Sequence, residues 1–222
     1  MLPALHKILI HILDLLLPRR CVGCRSNGSS LCTLCLTGLP LALPDEPDLI
    51  ACYESNDKTV RRALWRMKYS NATELVGIFA DPFAEEVLAT LAELLSTPER
   101  SEHIALIPVP LHKKRLRERG YNQAELLARA LAEKIPEARV YPSLITRITN
   151  TESQTKMKSR REREKNVEAA FVLSDTVVTL PRICIVVDDI ITSGATTRAC
   201  VVLLKSAGAH TVLRAAVAHG AL

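Results

Sequence analysis

Residues 183–197 read Ile183-Cys-Ile-Val-Val187-Asp188-Asp189-Ile-Ile-Thr192-Ser193-Gly194-Ala195-Thr196-Thr197. An unbroken apolar run ends in two adjacent carboxylates, and a turn of small and hydroxylated residues then opens a helix. A run with no polar face is a strand buried on both sides, as in a parallel sheet. In the turn, the backbone N–H groups of Ser193, Gly194, Ala195 and Thr196 can point at a phosphate beside the positive helix end. Gly194 permits close approach, and the hydroxyls of Thr192, Ser193 and Thr196 add donors. Asp188 and Asp189 would repel that phosphate, so they suit neutral hydroxyls a few ångströms away, such as ribose 2′-OH and 3′-OH. Ribose 5-phosphate meets both demands. The other readings of the acidic pair are a metal site or an N-cap arrangement without a ligand. The chain contains no G-x-x-x-x-G-K-[ST], which excludes an ordinary P-loop.

Outward from this stretch, apolar runs alternate with helical patterns. Strands are expected at 49–53, 104–109, 183–187 and 211–218, and helices at 59–68, 74–95, 124–134 and 195–206, with Gly208 as a stop signal. That alternation predicts an α/β fold, a parallel sheet flanked by helices, spanning residues 48–222. Ligands of such sheets bind beyond the carboxyl ends of the strands, so the segments after Val109 and Val187 are the expected functional loops.

Residues 1–47 read as a separate amino-terminal unit. Apolar residues from Leu2 to Leu16 fall at helical spacing, with Lys7, His11 and Asp14 on the other side. This amphipathic helix is too short and too charged to span a bilayer. Cys21-Val-Gly-Cys24 and Cys32-Thr-Leu-Cys35 follow, two knuckles whose four thiolates can converge tetrahedrally on structural Zn²⁺ in a small zinc-ribbon-like module. The alternative is a redox dithiol or unpaired thiols. Cys52, Cys184 and Cys200 lie in apolar contexts and read as core thiols. Pro40, Pro44 and Pro47 mark an extended linker.

The chain has 222 residues, 48% of them apolar and 24% charged, enough for one sizeable core and a small satellite. A disordered tail or a fibrous repeat is excluded. One Trp, four Tyr and three Phe argue against extensive base or sugar stacking. An odd number of cysteines, four of them clustered, points to a reducing compartment and a cytoplasmic location. The formal charge of +5 is uneven: residues 111–119 hold five Lys/Arg against one Glu, and residues 156–165 six against two. These windows suit a polyanionic ligand, or are solvated helix faces. His103, His112, His210 and His219 are isolated and show no metal spacing, and Tyr121-Asn122-Gln123 suits a helix cap.

The run V-V-D-D-I-I-T-S-G-A-T at 186–196 resembles the phosphoribosyl pyrophosphate (PRPP) signature of type I phosphoribosyltransferases, with Ser193 where Thr is more usual. The paired cysteines, the stretch I-P-V-P-L-H-K-K-R-L-R-E-R-G-Y-N-Q-A at 107–124, and Arg147, Gln154, Arg163, Asn166 and Phe171 extend the likeness over nearly the whole chain. Together they resemble the ComF family of competence-associated phosphoribosyltransferase-like proteins. The resemblance implies a type I phosphoribosyltransferase-like sheet that binds PRPP, or a phosphoribosylated nucleotide, with Mg²⁺ and transfers phosphoribose to a nitrogen acceptor. It implies that Asp188 and Asp189 hold the ribose and that Thr192, Ser193, Gly194, Ala195 and Thr196 hold the 5′-phosphate. Lys113, Lys114, Arg115 and Arg119 would meet the pyrophosphate. Arg147, Gln154, Arg163 and Asn166 would belong to a mobile loop, with Arg163 at the chemistry. The alternative it implies is a binding module without turnover, handling single-stranded DNA alongside DNA-uptake proteins.

Overall fold

The apolar run that begins at Ile183 is paired on both sides, as its lack of a polar face requires. In the computed structural model, which describes residues 19–69, 73–94, 103–149, 170–174 and 179–220, it opens β6 (Ile183–Ile191). β6 lies between β2 (Ile104–Pro108) and β7 (Thr211–His219), and β1 (Leu49–Glu54) and β3 (Ala138–Val140) complete a sheet of order β1-β7-β6-β2-β3. Every neighbouring pair is parallel. The parallel α/β sheet flanked by helices is therefore the architecture of the chain. No helix of the described residues is long and apolar enough to cross a membrane.

The period of two along each strand divides the core between the sheet's faces. Ile183, Ile185 and Val187 join Leu106 and Leu213 in one cluster, which α3 (Thr73–Leu94) and α5 (Gln123–Lys134) cover. Cys184 and Val186 join Ala105 and Val212 on the other face, beneath α6 (Ala195–Ser206). Cys52, Cys184 and Cys200 are buried as expected of core thiols, and burial pushes the Cys184 thiol up to about 11 and that of Cys200 up to about 12.

Besides the short strand β3, which the sequence pattern did not foresee, three features that shape the site depart from the sequence reading. β6 continues through both carboxylates to Ile191, because β7 partners it as far as His219 while β2 stops opposite Val187. A short helix, α4 (Lys113–Arg119), forms in the basic window, capped by His112 Nδ1 accepting from Lys114 N. A small antiparallel pair, β4 (Ile145–Arg147) and β5 (Phe171–Leu173), sets Arg147 directly opposite Phe171.

The proline-rich segment is stitched to the edge of β1: Leu41 bridges Tyr53, Ala42 N donates to Cys52 O, and Glu54 N donates to Pro40 O. It then turns at Glu46, whose carbonyl accepts from Leu49 N. Before it lies α1 (Thr33–Thr37), and Cys21, Val22, Leu31 and Leu39 pack into the main apolar cluster. The amphipathic helix expected over 1–17 lies outside the described residues, as do Gln154, Arg163 and Asn166.

Candidate functional site

Where β6 outruns β2, its side chains reach a cleft at the carboxyl edge of the sheet. Alternation sends Asp188 and Asp189 to opposite faces. Asp189 is buried and its Oδ2 lies 2.7 Å from Lys68 Nζ, at the end of α2 (Lys58–Tyr69). Of the two carboxylates that end the apolar run, Asp189 therefore belongs to the buried part of the strand. Asp188 is half-buried and accepts from the Asp189 amide at 2.9 Å. Burial first, and the Asp189 carboxylate second, raise its pKa well above the ordinary range, against the pull of Lys68.

After Ile191 the chain turns through Thr192, Ser193 and Gly194 into α6. Gly194 holds φ +70°, a left-handed conformation that favours glycine, and no side chain caps the helix. Asp188, Ile190, Ile191 and the run from Thr192 to Thr197 line a cradle of about 60 Å³. At roughly 30 Å³ per water that is room for about two waters or one tetrahedral anion. The Thr197 hydroxyl donates to Gly194 O at 3.1 Å, closing the turn.

An adjoining cleft of about 390 Å³ brings Asp188, Asp189 and Thr196 together with Lys68, Arg115, Arg119 and Arg147, four cations from three separate parts of the chain. Asn122 anchors the segment after β2. Its Nδ2 donates to Val109 O at 3.0 Å, and its Oδ1 accepts from Ala124 N as the N-cap of α5, which bears out the helix-cap reading. Gln123 Oε1 accepts from Arg119 Nη1, while its buried Nε2 finds no partner among the described residues and lines the same cleft. Arg147 lies over the Phe171 ring at 5.4 Å, and burial followed by the charge of Arg115 lowers its pKa. Lys113 and Lys114 do not line the cleft; both are exposed.

Sequence reasoning missed Lys68, Tyr69, Trp65 and Arg214. The signal for the first three was a run of five Lys/Arg in 58–69 with no acidic residue. Trp65 and Tyr69 are 59% and 63% exposed, their ring centroids lie 5.4 Å apart, and Arg119 stands 5.2 Å from the Tyr69 centroid. Beside them a second cleft of about 700 Å³ is lined by Lys68, Tyr69, Arg115, Glu118, Arg119 and Tyr121. Tyr121 Oη donates to Met67 O at 2.7 Å and so ties α2 to this wall.

Cys21, Cys24, Cys32 and Cys35 converge, all four Sγ atoms lying within 4.8 Å of one another. The Sγ of Cys32 is 3.6 Å from those of Cys21 and Cys24. Zn–S bonds of about 2.3 Å in a tetrahedron require sulfurs about 3.8 Å apart, so the donor set fits zinc. Burial would raise the Cys21 thiol, but amide bonds from Cys32, Cys24 and Gly23 outweigh it and lower the pKa to about 6. Gly23 is needed here because a Cβ would come within 2.7 Å of Cys35 Sγ.

The raised pKa of Asp188 has a measurable consequence. In the unfolded chain this carboxyl releases its proton near the ordinary value, whereas in the folded chain it holds the proton longer. Stability is therefore lost as pH rises from the unfolded pKa through the folded one. Asp188→Asn should raise the melting temperature at pH 7, because the amide carries no proton to lose. The gain should vanish toward pH 4, and a gain of equal size at both pH values would refute the linkage.

No family model matches the chain. It is 30% identical over 195 residues to the DNA utilization protein YhgH of Salmonella typhimurium, covering 82% of this chain and 81% of that protein. It is 35% identical over 111 residues to Competence protein F of Haemophilus influenzae, covering 49% of this chain and 47% of that one. Competence protein ComFC of Bacillus subtilis is 31% identical over 144 residues, 65% of this chain and 52% of that protein. Likeness of this extent, in a chain that carries the four-cysteine cluster and the parallel sheet, shows that it belongs to the ComF-like family of competence and DNA-utilization proteins.

Proposed function

We propose that the carboxyl edge of the sheet binds PRPP and supports transfer of its phosphoribosyl group to a nitrogen acceptor. The observation that carries this reading is the junction, at Asp188 and Thr196, of a cradle of phosphate size with a cleft of four cations. The 5′-phosphate would take the uncapped amides of the turn at 192–196. Asp188 and Asp189 would accept from the ribose hydroxyls, and the pyrophosphate would lie toward Arg115, Arg119 and the Gln123 amide. In the transfer the ribose C1–O bond breaks and pyrophosphate leaves with the bonding pair. The nitrogen lone pair then forms the C1–N bond, and the acceptor loses its proton. The arginines favour this step by stabilising charge that develops on the leaving oxygens. The hard oxygens of the carboxylates fit Mg²⁺ carried in by the pyrophosphate, where the ion would neutralise phosphate charge. Lys113 and Lys114 lie outside the cleft on the helix of Arg115 and Arg119, so their proposed part is long-range attraction of the pyrophosphate. Gln154, Arg163 and Asn166 keep the part in a mobile loop that the resemblance implies. We also infer the domain division at residue 47 and a cytoplasmic setting.

A second reading, single-stranded DNA binding without turnover, is favoured by the exposed Trp65–Tyr69 pair set among the basic residues of α2 and α4. Two exposed rings, tilted by 43° to one another beside Arg side chains, offer faces to splayed bases on a charged backbone. The names of the relatives agree with a partner related to DNA.

One experiment separates the two: calorimetric titration of zinc-loaded protein with Mg²⁺·PRPP, and in parallel with an oligothymidylate at two salt concentrations. Micromolar PRPP binding, on the order of −8 kcal/mol, that falls at least tenfold in Asp188→Asn supports the first reading. Absence of PRPP binding, together with strand binding that weakens steeply with salt, overturns it in favour of the second.

A further inference from the structure

Beneath the turn at 192–194 lies a buried guanidinium. Arg214, in the middle of β7 and 1% exposed, is the largest fully buried side chain among the described residues. Its Nε donates to Asp48 Oδ2 at 2.8 Å, and its Nη2 donates to Asp48 Oδ1 and to Glu46 Oε2, each at 2.7 Å. The third nitrogen, Nη1, is buried and has no hydrogen-bond partner among the described residues. It points at Gly194, where a Cβ would lie 3.1 Å from it and 2.7 Å from Arg198 Nη1. Arg198, in the first turn of α6, donates through Nη2 to Ser193 O and through Nη1 to the Glu46 carboxylate.

The backbone of Ser193 and Gly194 thus rests on two guanidiniums, both held by Glu46. Burial alone would lower the pKa of Arg214, but its bonds to Asp48 and Glu46 outweigh that and raise it, so the cation is fixed in place. Two carboxylates balance two guanidiniums, and neither arginine lines the cradle. The cluster is built to hold the turn in shape. Both acids lie on the segment between the cysteine module and β1, so the shape of the turn depends on a part of the chain that contributes nothing to the cradle itself.

We propose that Arg214 is a positioning residue of the 192–196 turn, and that Glu46 and Asp48 couple that turn to the segment following the cysteines. The proposal rests on the phosphate-binding reading only for its ligand readout. The test uses the zinc-loaded full chain, with ¹⁵N relaxation at Ser193 and Gly194 measured beside calorimetric affinity for ribose 5-phosphate. Glu46 is 38% exposed at its side chain, so Glu46→Gln should fold even where Arg214→Lys does not. In Glu46→Gln the order parameters at both amides should fall from about 0.85 to below about 0.6. Ribose 5-phosphate affinity should drop at least tenfold while the amide spectrum away from the turn stays that of the parent. Order parameters unchanged in Glu46→Gln would overturn the proposal. If they fall but the parent fails to bind ribose 5-phosphate, the positioning role is supported and the phosphate reading is the one that fails.

Discussion

Cys32→Ser is expected to strip zinc from the chain and to lower its melting temperature by on the order of 10 °C. The Sγ of Cys32 lies 3.6 Å from two of the other three sulfurs, so losing it removes a corner of the tetrahedron that the rest cannot close. Structural zinc sites of this kind hold about 10–16 kcal/mol of apparent binding energy, most of it invested in folding the surrounding loops. Here the loops do not stand alone. Ser30 Oγ donates to Glu74 Oε2 at 2.6 Å, Arg19 pairs with the same carboxylate at 3.2 Å, and Leu31 and Leu39 enter the main cluster. The damage should therefore reach α3 and β1 and cost about 3–5 kcal/mol overall, at about 2–4 °C per kcal/mol. Elemental analysis should find about one zinc per chain in the parent and almost none in the variant. Zinc should also be lost as pH falls, because the ligands bind as thiolates and must give up their protons. A parent that is folded and free of zinc at neutral pH would sink the metal assignment.

The parts of this fold that could be read from sequence are those in which local chemistry and tertiary environment agree. The Ile183–Val187 run has no polar face, and a central parallel strand needs none, so run and strand coincide. The turn at 192–196 is legible for the same reason: its small residues, its glycine and the helix that follows all serve one local geometry. The four cysteines are legible because a metal site is largely its own context. What escaped depends on distant partners. β4 and β5 have three residues each and exist because Arg147 and Phe171 meet across a long stretch of chain. The extension of β6 through two carboxylates is set by the length of β7. Lys68 ends an ordinary amphipathic helix, and only tertiary packing puts it 2.7 Å from Asp189. Arg214 did leave a trace, since a lone arginine inside an apolar strand is rarely buried unless paired. Its partners, however, are more than 160 residues earlier, in a segment whose prolines read as a linker.

Lys68→Met should destabilise the chain by about 2 kcal/mol, a drop of roughly 4–8 °C in melting temperature. Breaking a buried ion pair commonly costs about 3–5 kcal/mol, and the smaller figure allows for the 25% exposure of the lysine side chain. The variant leaves the Asp189 carboxylate enclosed without its cation. Asp189→Asn leaves the ammonium unpaired but better able to reach water, so it should cost less. The double variant removes both charges, and the cycle should return a coupling of at least about 1 kcal/mol. Ligand affinity then decides what the pair is for. Lys68 is itself a cation of the cleft, so the double variant is compared with Lys68→Met and not with the parent. If Asp189 serves only to seat the end of α2, the double variant should regain stability and bind Mg²⁺·PRPP at least as well as Lys68→Met. If Asp189 accepts from the ribose, stability should return while affinity falls at least tenfold below that of Lys68→Met. Equal affinity in the two would reduce Asp189 to a structural partner of Lys68 and leave the ribose to Asp188 alone.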